Sequence, residues 1–196
     1  MTALEWTDAA AGEIIEFWFG GADLRGQSLS QWFRKDENFD NQIRARFAGT
    51  YEAAASGALA RWQADAMSCL ALVVVLDQFP RNLFRGSARA FAADDLARAA
   101  ARHALAQGYD QMVLPVERIF FYLPLEHSES LADQEECLVL MKALAAYPET
   151  RDMWTWAEKH RVIIERFGRF PHRNAALGRA STPEEIAFLK EPGSGF

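Results

Sequence analysis

The sequence predicts an all-α protein made of antiparallel helical hairpins in a compact array. Three observations lead there. Apolar residues recur at the 3.6-residue helical period in nearly every segment. Segment starts carry Asp, Ser or Thr in capping position, and several ends carry Gly. The turns between segments are short, which makes successive helices fold back on one another. With 196 residues, 50% of them hydrophobic and 12% aromatic, the chain reads as a single helical domain over 1–196 with ample material for a core. Its ends, near 1–7 and 191–196, are expected to fray.

Taken in order, Asp8 to Phe19 reads as a helix with Ile14, Ile15, Trp18 and Phe19 on one face and Gly20-Gly21 as its stop. Ser28 or Ser30 can cap a short helix bearing Trp32 and Phe33. From Asp36 to Ala55, Phe39, Ile43, Phe47 and Tyr51 recur every fourth residue and form one aromatic stripe, read as core. Asp65 opens a helix from Ala66 to Phe79 that is apolar on all sides between Cys69 and Leu76. The Val73-Val74-Val75 run alone could be a buried strand; its length, the cap and the lack of a partner strand favour a central helix. Ser87 to Gln107 is an Ala-rich helix closed by Gly108, with Asp94-Asp95 in its early turns. Pro115 starts the next helix and Leu123-Pro124 is expected to break it. Ser128 or Ser130 caps Leu131 to Ala146, whose buried side is Leu131, Leu138, Met141, Leu144 and Ala145. Thr150 caps a helix carrying Met153, Trp156, His160, Ile163, Ile164 and Phe167, ended by Gly168. Thr182-Pro183-Glu184-Glu185 is a capping box for a last short helix.

Composition excludes several classes of function. A net charge of -6 argues against bulk attraction to nucleic acid or to an anionic membrane. The longest apolar run, Cys69 to Leu76, is far short of the ~20 residues of a membrane span, and the acidic start lacks a basic signal region, so the expectation is a cytoplasmic protein. Cys69 and Cys137 have no metal-ligand spacing and read as buried free thiols. Walker, GxGxxG, GxSxG and HExxH motifs are all missing, so no cofactor is implied and a metal is not expected.

Positive charge is nonetheless local. Arg161, Arg166, Arg169, Arg173 and Arg179 are opposed within that span only by Glu165. The stretch Arg166-Phe167-Gly168-Arg169-Phe170-Pro171-His172-Arg173-Asn174 has a paler counterpart in Gln78-Phe79-Pro80-Arg81-Asn82. Asp77 follows the most apolar run of the chain, and a buried carboxylate needs a partner; Arg81 and Arg85 are both within reach if the turn stays helix-like. His127, beside Glu129 and near Asp133, is placed for proton transfer, whereas His160, on an apolar stripe, reads as a core histidine. His103 reads as a solvated or half-exposed histidine.

Together, Phe17-Trp18-Phe19-Gly20, Leu76 to Asn82, Leu123-Pro124-Leu125-Glu126-His127-Ser128-Glu129, and Arg166 to Asn174 with Leu177-Gly178-Arg179 resemble an uncharacterised bacterial family, the domain of unknown function numbered nine hundred twenty-four. The resemblance runs from about Phe17 to Leu189. It implies a tetratricopeptide-like α-α superhelix and no activity, cofactor, partner or catalytic residue, and no strict repeat is legible in the sequence itself.

Three functional readings follow. In the first, a pocket binds a small anionic molecule through Asp77, Gln78, Arg81, Asn82, Arg166, Arg169, Arg173 and Asn174, with His127, Glu129 and His172 as the catalytic candidates. In the second, a helical groove grips an acidic peptide through Arg173 and Asn174. In the third, these residues are buried Asp–Arg locks between helices. The sequence leaves open whether the protein is an enzyme or a binder, and its oligomeric state.

Overall fold

Asp8 is the first residue described by the computed structural model, which covers residues 8–195. The expected fraying of 1–7 and of Phe196 lies outside those residues. Asp8 caps α1 (Ala9–Phe19) by accepting from the N–H groups of Ala10 and Ala11, and it also takes the Trp62 indole N–H at 2.9 Å. Gly20 ends the helix at φ 80, where a Cβ would also stand 2.7 Å from Leu24 Cβ. The Trp32 segment is a single 3-10 turn, Ser30–Trp32, and neither Ser28 nor Ser30 caps it; the Trp32 indole anchors it instead by donating to Trp18 O at 2.7 Å.

Asp36 caps α2 (Glu37–Ala55), and Phe39, Ile43, Phe47 and Tyr51 are all buried, as the stripe requires. Asp65 caps α3 (Ala66–Asp77), in which every residue except Met67 is buried. No strand occurs among the described residues, so the Val73–Val75 run belongs to this helix. It stands at the centre, packed against α1 and α2 and against two later helices. A short α4 (Phe79–Leu83) follows directly.

The Ala-rich segment comes in two pieces, a 3-10 turn at Ala88–Phe91 and then α5 (Asp94–Ala106), whose Ala97, Ala100, Ala101 and Ala104 are buried. Next comes α6 (Pro115–Glu126), and here the expectation from sequence fails: Pro124 does not break it. A proline deletes one N–H, here the one that would serve Phe120 O, yet the helix runs on past it and its end is held by neighbours. His127 N–H donates to Leu123 O at 2.8 Å, and the Gln134 amide donates to Glu126 O at 2.5 Å and Ser128 O at 2.7 Å. Glu126 and His127 therefore sit at the inner end of a buried helix rather than in a loop.

In α7 (Leu131–Ala143), Ser130 makes no side-chain cap bond, and Leu131 is 39% exposed, which removes it from the expected buried side; Leu138 and Met141 are buried there, as is Leu144 just beyond. Thr150 does not cap α8 (Trp154–Phe167) but donates to Leu144 O at 2.7 Å, and Trp156 faces outward. Gly168 closes α8, and the Thr182–Glu185 capping box opens α9 (Pro183–Phe188). Successive helices α5, α6, α7 and α8 pack as neighbours, giving an all-α array of hairpins.

The core falls into two parts. One apolar cluster runs from α1 to the start of α8; the other comprises Ile163, Ile164 and Phe170, flanked by Phe167 and Phe188. Both cysteines are buried in the larger cluster and unpaired, and burial pushes the Cys69 thiol up to about 12, well outside the reactive range. No helix among the described residues is long and apolar enough to cross a membrane.

Candidate functional site

The end of α3 carries Asp77, fully buried, into the gap between α6, α5 and the segment after α8. Gln78 donates to its Oδ2 at 2.5 Å, and the His127 ring meets its Oδ1 through Nδ1 at 2.8 Å. Arg81, one helical turn on, stands 3.5 Å from Oδ1. Its guanidinium is spent mainly elsewhere: on Asp77 O at 2.9 Å, Ala90 O at 3.2 Å and both oxygens of Asp94 at 2.8 and 3.2 Å. Arg85, expected to share Asp77, instead grips Asp40 at 2.7 and 2.8 Å, where Asn82 joins it at 2.7 Å.

Burial works against a charge on Asp77, but His127, Arg81 and their hydrogen-bonding neighbour Gln78 hold its pKa at about 2. Burial, with Arg81 adding to it, lowers His127 against the pull of Asp77. The pair is thus a carboxylate beside a neutral imidazole. A carboxylate only accepts, so Nδ1 carries the hydrogen and Nε2 is left as the basic nitrogen. This is the geometry of an oriented general base.

Glu126, the residue before His127, is 4% exposed. Its Oε1 lies 3.3 Å from His160 Nδ1, and its Oε2 is buried with no hydrogen-bond partner among the described residues. Burial, followed by the nearby Asp77 charge, raises its pKa to about 8. His160 is the core histidine its apolar stripe suggests: it is 6% exposed, its Nδ1 meets Trp156 O at 2.9 Å, and burial pushes its pKa to about 3. The two imidazoles lie 6.3 Å apart between centroids.

Phe170 closes the cluster. Its fully buried ring lies 5.5 Å from His160, 5.6 Å from His172 and 4.4 Å from the Arg173 guanidinium carbon. Arg173 is 6% exposed, sandwiched between that ring and Phe91 at 4.8 Å. Among the described residues its side chain makes one hydrogen bond, Nη1 to Asp94 Oδ2 at 3.3 Å, and its buried Nε has no acceptor. Burial, then the charge of Arg81, pulls its pKa down to about 10. His172 is lowered to about 4 by burial and by Arg173.

Of the residues singled out from sequence, then, Asp77, Gln78, Arg81, His127, His172 and Arg173 share one neighbourhood. The others do not join it. Asn82 serves Asp40. Arg166 pairs with Glu184, and Arg169 makes a two-pronged pair with Glu185 at 2.6 and 2.8 Å. Asn174 donates to Ser181 at 3.0 Å and accepts from Arg179 at 2.9 Å. Glu129 accepts two bonds from Arg179, at 2.6 and 2.9 Å, and the Phe170 N–H at 2.8 Å. Apart from Asn82, which ties α4 to α2, these residues fasten α9 and the chain leading to it. Sequence reasoning missed Glu126 and the part played by Asp94. His103, half-buried, bonds Gln63 O at 3.0 Å and stands apart.

No group of three or more His, Cys, Asp or Glu among the described residues is arranged to hold a metal ion. A cavity of about 400 Å³ lies elsewhere, lined by Trp156, Lys159, Ile163, Phe188 and Pro192. Its one cationic side chain among the described residues, Lys159, rests on Trp156 at 3.9 Å, and no described carboxylate or imidazole side chain lines it.

A family model described as "Bacterial protein of unknown function (DUF924)" matches residues 14–193, the span over which the motifs carry their resemblance. A solved structure of a protein of unknown function from Agrobacterium tumefaciens is 45% identical, covering 93% of this chain and 97% of that one, with a TM-score of 0.82. No curated protein matches the chain significantly.

Proposed function

This chain belongs to that bacterial family of unknown function, and on that premise we propose that the cluster at Asp77, His127 and Arg173 binds a small anionic molecule and moves a proton on it. One observation carries the reading: a buried guanidinium with an unused donor stands in the same cluster as a carboxylate-oriented, neutral imidazole. An unsatisfied buried donor costs about 1–3 kcal/mol, more when charged, and an anionic oxygen would satisfy it. Arginine's planar donor edge suits a carboxylate or a phosphoryl group. Arg81 is occupied by Asp94 and backbone carbonyls, so its part is to fix Asp77 and Asp94 rather than to hold the ligand. His127 Nε2 then takes a proton from the bound molecule, and Asp77 stabilises the imidazolium that results.

Sulfate, a non-titrating dianion, is the probe. Calorimetric titration should show binding that weakens at least about tenfold in Arg173→Met, a loss of about 1.4 kcal/mol, and is unchanged in Arg166→Met, whose guanidinium serves Glu184. Equal affinity in all three proteins would remove the anion site. A tetratricopeptide-like groove for an acidic peptide would require Arg173 and Asn174 on an open face; they are 6% and 1% exposed, which favours the small ligand.

A further inference from the structure

Glu126 and His127 are consecutive, yet each belongs to a different carboxylate–imidazole pair: His127 with Asp77, and Glu126 with His160. The second pair is built differently. Trp156 O can only accept, so His160 Nδ1 carries its hydrogen, and that hydrogen already points at the carbonyl at 2.9 Å. Glu126 Oε1, at 3.3 Å from the same nitrogen, is at best a secondary acceptor of it. Any proton on Glu126 therefore resides on Oε2, the oxygen with no hydrogen-bond partner among the described residues.

We infer that Glu126 is the proton donor of this site, complementary to the His127 base. The inference rests on the proposed anion site and narrows it to one reaction class, proton transfer between two atoms of the bound molecule. His127 Nε2 accepts a proton from one atom and becomes imidazolium. Glu126 Oε2 gives its proton to another atom and becomes carboxylate. The molecule gains and loses one proton, no electrons change hands, and the two residues reset by exchange with solvent. A carboxylic acid can be a donor only if it stays neutral at working pH, and its surroundings arrange this. The groups that face it are Asp77 on α3, Cys137 on α7 and His160 on α8, with His127 next to it at the end of α6. Asp77 is the ionised carboxylate among them, and the nearest imidazole, His160, is neutral. Two carboxyls in one dry site do not both ionise, and the more strongly paired one, Asp77, keeps the charge.

Infrared spectroscopy of the ligand-free protein should show a protonated-carboxyl stretch at pH 7 that disappears near pH 8. It should be lost in Glu126→Gln and shifted in Glu126→Asp. Sulfate affinity of the wild type should fall about tenfold per pH unit above pH 8, because each bound anion would then have to recruit a proton. The same titration of Glu126→Gln should be flat. No such band at pH 7 overturns the assignment of Glu126, whatever sulfate does. A band present alongside pH-independent sulfate binding overturns the donor role while leaving the anion site standing. Sulfate binding absent altogether, with the band present, removes the anion site and with it this use of Glu126.

Discussion

Two faces of one stretch, Arg166 to Asn174, can be set side by side. On one face Arg166, Arg169 and Asn174 are matched to Glu184, Glu185 and Ser181, and Arg179 just beyond is matched to Glu129; each of these side chains has a partner. On the other face Arg173 has one long side-chain contact and an unused Nε among the described residues, and in the same cluster Glu126, beside His160, has an unused Oε2. Saturation is what a structural joint needs. Unspent hydrogen-bonding capacity, kept dry, is what a joint avoids and a binding site uses. Nearly the same residue types in one stretch thus occur in two states of saturation, and under the proposed function the unsaturated one is the binding face.

The largest effect should come from Asp77, where both purposes meet. Asp77→Asn takes the carboxylate from the His127 ring, leaves Arg81 to Asp94 alone, and should destabilise the fold by about 3–5 kcal/mol in urea unfolding. A change below ~1 kcal/mol would mean Asp77 is not the tie between the two halves.

Next is the pH dependence of stability. Glu126 is raised from 4.5 to about 8, so between those values the native state holds a proton that the unfolded chain has lost. Its contribution is complete below pH 4.5 and is lost as pH rises through 8. Glu126→Gln should flatten that decline, which can be as steep as about 1.4 kcal/mol per pH unit. His160 acts with the opposite sign. Lowered from 6.5 to about 3, it supports the fold above pH 6.5 and withdraws that support as pH falls toward 3. Denaturant midpoints from pH 3 to 9 for wild type and Glu126→Gln separate the two slopes.

Arg173→Met should change stability by no more than about 1 kcal/mol, and in the stabilising direction if anything, because it exchanges an under-paired buried cation for an apolar side chain between two phenyl rings. A loss of 3 kcal/mol or more would place Arg173 among the joint residues. The smallest effect belongs to Arg166→Ala. Its pair with Glu184 is exposed on both sides, and thermal unfolding should register within about 0.5 kcal/mol of wild type.

Much of this architecture was legible locally. The stripe of Phe39, Ile43, Phe47 and Tyr51, the Asp65 cap, and the Thr182–Glu185 box each depend on neighbours within one or two turns, and all stand as read. Partnerships across distant segments were not legible. Nothing near Arg85 points to Asp40, and nothing near Arg169 points to Glu185 over the equally acidic Glu184. The most instructive miss has a single cause. Taking Pro124 as a break put Glu126 in a loop and drew attention to Glu129. Because Gln134 holds the final carbonyls from another helix, α6 continues, and Glu126 is carried inward. A proline rule that is sound for an isolated helix lost to packing supplied from elsewhere.

The division of the apolar core into two clusters bears on how solvent could reach this site at all. Phe170 belongs with Ile163 and Ile164, not with the large cluster around α3. Opening of that smaller unit would withdraw Phe170 and Arg173 from Asp77 and His127 while the main body stayed folded, a sub-global event with a lower free energy than complete unfolding. Amide hydrogen exchange should therefore find the α9 backbone exchanging well ahead of α3, and raised salt, which weakens the ion pairs fastening α9, should widen the interval. The work of uncovering the acid and the base would then be set by a few carboxylate–guanidinium contacts at the far end of the chain.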